Sequence, residues 1–102
     1  MLFRSNQDRI FFATDFQVYD RLILGSGGNG PPPTEADAVD FFHKHWRYFE
    51  TADKDFPHMT PIQGDWTISG IHLPADVLRM VYFENAEKLL ARPLAALRAG
   101  RP

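Results

Sequence analysis

"DRIFFATDF", residues 8–16, decides how this chain is read. Ile10, Phe11 and Phe12 form an apolar run with no polar alternation. It closes on small Ala13 and Thr14 and then on a carboxylate, Asp15. Short continuous runs rich in aromatic and β-branched residues mark strands covered on both faces, as in parallel sheets. Residues 9–14 are therefore expected as one buried core strand, with Asp15 the first group beyond its end. Such a strand needs paired backbone on both sides. The sequence offers little to pair with it.

Working outward, residues 16–33 read as a loop ending in "GSGGNGPPP". Residues 34–50 read as a helix. Thr34 suits the N-cap, with Asp37 three residues on as its box-like partner and Pro33 just before. Val39, Phe42, Trp46 and Phe49 recur at helical spacing, and Ala38, Phe41, His45 and Tyr48 widen that stripe. Asp40 and Lys44 form an i,i+4 pair on a more polar side. Residues 51–73 read as an irregular insertion. Within it "DWTISGI" alternates Trp66, Ile68 and Gly70 against Thr67 and Ser69, which leaves room for a small hairpin. Residues 74–91 read as closing helices. Pro74 suits the first turn, and Val77, Leu78, Val81, Tyr82, Ala86, Leu89 and Leu90 form the apolar face. Pro93 is expected to end or kink that element.

Composition bounds the function. At 102 residues the chain has length for one domain and not two. A formal net charge of -2 gives no global attraction to nucleic acid or to an anionic membrane. Lys88, Arg92, Arg98 and Arg101 are spread along a tail and read as a solvated end. Cysteine is absent, which removes disulfides and thiolate metal ligands and fits a reducing compartment. No apolar run approaches the roughly 20 residues of a membrane span. Asp8, Arg9 and Asp15 interrupt any signal-peptide core. The expectation is a cytoplasmic protein whose partner is a small molecule, with neither nucleic acid nor membrane.

Two short matches carry less than their letters suggest. His43 and His45 spell His-x-His, but on a helix two residues turn through about 200°, so the rings cannot share a face. His45 then belongs to the packed face and His43 to its polar flank, while His58 and His72 are expected at the surface. Gly25, Gly27 and Gly30 spell a dinucleotide fingerprint after "RLIL". That fingerprint needs its glycines to open a helix, and Pro31, Pro32 and Pro33 intervene. The stretch reads as a rim loop, in its functional version a lid with Tyr19 and Arg21 as contacts. Trp46 and Trp66 read as packing residues.

Two stretches together resemble the C-terminal end of the amidohydrolase-related family of metal-dependent hydrolases, the branch that also holds metal-dependent decarboxylases. One is "DRIFFATDF", through Asp8, Arg9, Ile10, Phe12, Thr14, Asp15 and Phe16. The other is "LPADVLRMVYFENAEKLL", residues 73–90, through Leu73, Pro74, Asp76, Val81, Asn85, Ala86, Leu89 and Leu90. "HWRYFET" and "PIQGDWTISGI" look like an insertion between them. The chain departs from the pattern at Ala13, where the family prefers Gly, and at Gln17, where it prefers Pro.

The resemblance implies a fold and a chemistry. The fold class is α/β: the C-terminal fragment of a (β/α)8 TIM barrel, α-rich in this chain, with one core strand. Residues 9–14 would be the last barrel strand, and catalytic residues of such barrels stand at the C-terminal strand ends. Asp15 would be both the catalytic base and a ligand of a divalent metal, zinc being the expected ion. The other ligands, a His-x-His on the first strand and groups on middle strands, would lie outside this chain, since a whole barrel takes about 250 residues. The parent would be a hydrolase of a small amide, ester or lactone, with oligomer formation open. The alternatives are a metal-dependent decarboxylase of the same family and a non-catalytic, α-rich interaction protein. Asn85 and Ala86 read as structural, the amide satisfying backbone groups and the small side chain allowing close packing.

Overall fold

The computed structural model describes residues 2–25, 30–60, 64 and 66–100. The chain is mixed α/β and helix-rich, with two small antiparallel hairpins and, among the described residues, no closed barrel. In order it runs α1 (Leu2–Ser5), β1 (Gln17–Val18), β2 (Leu22–Ile23), α2 (Glu35–Glu50), β3 (Phe56–Pro57), β4 (Thr67–Ile68), α3 (Ala75–Arg79), a π-helical turn (Met80–Glu84) and α4 (Asn85–Ala99). No helix among the described residues is long and apolar enough to cross a membrane. The chain divides into two compact units. One joins the residues up to Phe12 with those from Pro74 onward; the other is Ala13–Leu73.

In Ala13–Leu73, α2 is the organising element. Thr34 and Asp37 form a complete capping box: the Asp37 N–H donates to Thr34 Oγ1 (3.2 Å), and the Thr34 N–H donates to Asp37 Oδ2 (2.8 Å). That bonding to the Thr34 backbone holds the Asp37 carboxyl below its usual range. Asp40 and Lys44 pair at 3.0 Å. The buried side centres on Phe41 and His45, with Ala38, Phe42, Tyr48 and Phe49 half-buried, whereas Val39 and Trp46 are exposed. The packed stripe is thus narrower than the sequence spacing suggests and rotated toward Phe41. At the far end, the Ile71 and Leu73 N–H groups donate to the carbonyls of Tyr48 and Phe49 (both 2.8 Å), which no longer have helical donors. Gly70 makes this possible, because a side chain there would collide with the Thr51 carbonyl.

The hairpins are short. β1 pairs with β2 through Gln17↔Ile23 and Val18↔Leu22. β3 pairs with β4 through Phe56↔Ile68 and Pro57↔Thr67, so part of "DWTISGI" is a hairpin arm. Arg47 braces that arm, with its guanidinium 4.3 Å above the Phe56 ring and its Nε 2.8 Å from Asp53.

In the other unit, Val77 and Val81 are the buried centre. The Arg4 guanidinium donates to Asp76 and lowers that carboxyl's pKa. Pro93 does not end the last helix: α4 continues through it to Ala99, beyond the expected end at residue 91. Leu and Ala on both sides favour helix strongly enough to absorb one missing donor.

The expected core strand over residues 9–14 is not observed as one. No strand pairs with residues 10–16 among the described residues, and Arg9, Phe11 and Ala13 are exposed. The physical reason is the shortage noted from the sequence. A doubly covered strand needs neighbours, and the strands present are two residues long and paired with one another.

Candidate functional site

Asp15 stands at the corner where the extended stretch turns into β1. Its φ is +58°, the left-handed region, which Asp and Asn enter more readily than other side chains. Thr14 Oγ1 accepts the Phe16 N–H at 3.3 Å, and the Phe16 ring lies 5.4 Å from that of Phe42. The carboxylate is exposed and accepts a hydrogen bond from Gln17 Nε2 at 3.1 Å. Gln17 is one of the two departures from the family pattern. A proline there has no side-chain donor, so the departure supplies this hydrogen bond to Asp15. Backbone outliers of this kind gather where a side chain must be aimed.

The structure does not bring a metal site to Asp15. Among the described residues no group of three or more His, Asp or Glu could hold an ion. A single carboxylate does not fit a four-coordinate zinc centre.

The histidines are accounted for separately. His43 is exposed on α2, 5.3 Å from the Trp46 ring. His45 is buried, and its Nδ1–H donates to the Phe41 carbonyl at 2.8 Å; burial lowers its pKa. His58, expected at the surface, is buried. Its ring stacks on Trp66 with centroids 4.1 Å apart and planes within 5°. Its Nδ1 accepts the Thr60 N–H and its Nε2–H donates to the Gly64 carbonyl, so the ring closes a loop that sequence spacing does not reveal. Trp66 is the packing partner. His72 is exposed, with φ +44°.

The glycine fingerprint does not form a phosphate cradle. Gly25 is buried at φ +70°, and a side chain there would run into Thr60. Gly27 lies outside the described residues. The N-terminus of α2 is occupied by its own Asp37 carboxylate. Arg21, read as a lid contact, lies with Nη2 3.3 Å from the Gly30 carbonyl, while Tyr19 is exposed. An open groove of about 350 Å³ runs between Pro31–Pro33 and α2, with Leu24, Phe41 and Met59 beneath it. Its rim charges, Asp37, Asp40 and Lys44, are held in the cap and the ion pair described above.

The two motifs behind the resemblance meet in space. Asn85 is 4 % exposed, and its Nδ2 donates to the carbonyls of Gln7 (2.5 Å) and Ile10 (3.0 Å). The Phe12 N–H donates to the Val81 carbonyl at 2.9 Å, and the Phe12 ring meets Tyr82 edge-on at 5.3 Å. The π turn makes the Val81 contact possible. In an α register the Asn85 N–H would bond to Val81; it bonds to Met80 instead. Asn85 is structural, as its sequence context suggests, but its partners are on the opposite end of the chain.

No protein-family model, curated protein or solved structure matches this chain.

Proposed function

We propose that this chain supplies the C-terminal segment of a metal-dependent hydrolase of the amidohydrolase-related type, acting on a small amide, ester or lactone. Asp15 is its contribution to the catalytic centre. The observation that carries the reading is the contact between the two quoted motifs: Asn85 and Val81 of the second hold Gln7, Ile10 and Phe12 of and just before the first. A chance likeness of two short stretches would give no reason for them to be fastened together. The left-handed corner at Asp15 supports the same reading, since it exposes a carboxylate at the motif position. What this chain would do in the reaction is hold that carboxylate at the rim, steadied by Gln17, as a proton acceptor.

The test uses a parent polypeptide that joins this segment to the His-x-His strand the reading calls for. Asp15→Asn keeps the size and removes the charge. It should lower kcat by about 10²–10⁴-fold, the usual worth of a positioned general base. Asp20→Asn, in the same exposed loop but outside the motif, should change it little. Near-normal turnover with Asn at position 15 would take Asp15 out of the chemistry.

A further inference from the structure

From residue 87 to residue 100 the closing helix and its end are exposed at every position. The exposed residues include Leu89 (66 %), Leu90 (47 %), Leu94 (40 %) and Leu97 (59 %). At about 100° per residue Leu90, Leu94 and Leu97 share one stripe about 60° wide, Leu89 lies about 80° to one side of it, and Lys88 and Arg92 lie opposite the stripe. A helical stretch this short is marginal in water without a packed face. Pro93 weakens it further by removing a backbone donor. The stripe therefore calls for a cover, and the charges beside it identify one. Glu87 and Arg98 are eleven residues apart, which places them about 20° apart around the axis. Both flank the stripe on the same side.

We propose that a second copy of this chain covers the stripe, the two α4 helices packing antiparallel about a two-fold axis that passes between Pro93 and Leu94. In such an isologous pair equivalent flanks lie on the same side of the interface. Leu90 of one copy then faces Leu97 of the other. Each Glu87 comes within two residues, about 3 Å along the axis, of the level of the other copy's Arg98. In a parallel two-fold pair equivalent flanks lie on opposite sides of the interface, so Glu87 and Arg98 would meet no opposite charge, and the antiparallel arrangement is the one that pairs them. Lys88 and Arg92 turn outward and do not oppose their equivalents.

Sedimentation velocity of the whole chain across micromolar to submillimolar concentrations tests this without reference to Asp15 or to any activity. A reversible monomer–dimer equilibrium is expected, and Leu90→Glu with Leu97→Glu should leave a monomer. Glu87→Arg alone and Arg98→Glu alone should each weaken the dimer roughly 2- to 30-fold, since two symmetric pairs are lost. The double exchange should restore it, and this rescue does not depend on the leucine variant keeping its helix. Four outcomes would overturn the proposal: a monomer at every concentration, aggregates indifferent to the leucine changes, a double exchange no tighter than either single change, or a monomer that co-sediments with phosphatidylserine vesicles.

Discussion

α2 and the closing helix solve the same problem by opposite means. α2 is specified by its neighbours in sequence: its cap lies within four residues, its ion pair is i,i+4, and the segment that takes its last carbonyls follows directly after β4. The closing helix begins at Pro74 with no side-chain cap, changes register at Met80–Glu84, and spends its one buried amide on residues 75 and 78 positions away. Local devices make an element whose ends are set by its own sequence. Remote ones make an element that has meaning only when a second stretch is fastened to it.

The contrast can be broken at either end. Phe41→Ala should do most, because it empties the centre of the packed face of α2. A loss of about 3–5 kcal/mol is expected in denaturant unfolding, with amide protection falling at Ile71 and Leu73. Asn85→Ala comes next. Leaving two carbonyls without their donor should cost about 2 kcal/mol. Hydrogen exchange should speed up at Phe12 while Ile71 and Leu73 stay protected. Equal loss of protection in both places would mean that the two helices are not held independently. Thr34→Ala should cost about 1 kcal/mol and loosen only the first turn of α2.

The most gradual effect is with pH. Burial holds the His45 imidazole below its usual value of 6.5, so the unfolded chain binds the proton more readily than the folded one. His45 therefore contributes fully above about 6.5 and progressively less as pH falls toward its lower folded value. Asp37 and Asp76, whose carboxyl groups lie below the usual 3.8, lose their contributions only in more acid solution. Thermal melts between neutral and mildly acid pH should show the decline, and His45→Phe should flatten it. An unchanged slope in that variant would place the titration elsewhere.

What the sequence made legible follows the same division. Thr34, Asp37, Asp40 and Lys44 could be placed because their partners are three or four residues away. The arm at Thr67–Ile68 could be placed because alternation is local. Asp15 was placed at the end of a core strand that is not observed, and its left-handed backbone carried no signal in the sequence, since no glycine marks it. His58 escaped because its burial depends on a ring eight residues on and on a loop carbonyl. The segment over residues 9–14 was read as a strand from its side chains, although a strand is defined by what lies beside it. Asn85 could be assigned to backbone bonding but not to Gln7 and Ile10, because one-sequence patterns do not report contacts across so long a separation.

The widened turn at Met80–Glu84 sets more than one hydrogen bond. It amounts to one residue of slack in an otherwise α-helical phase. Deleting a single residue there would take up that slack and leave the downstream bearing as it is, but drawing the turn back to i→i−4 with every residue kept would swing everything downstream by about 100° about the axis. Val77 would keep its azimuth while Leu90, Leu94 and Leu97 were turned away from theirs, and Asn85 would point past the carbonyls it now holds. The bearing of the leucine stripe is thus encoded several residues before the first leucine, in a local miscount of the helix.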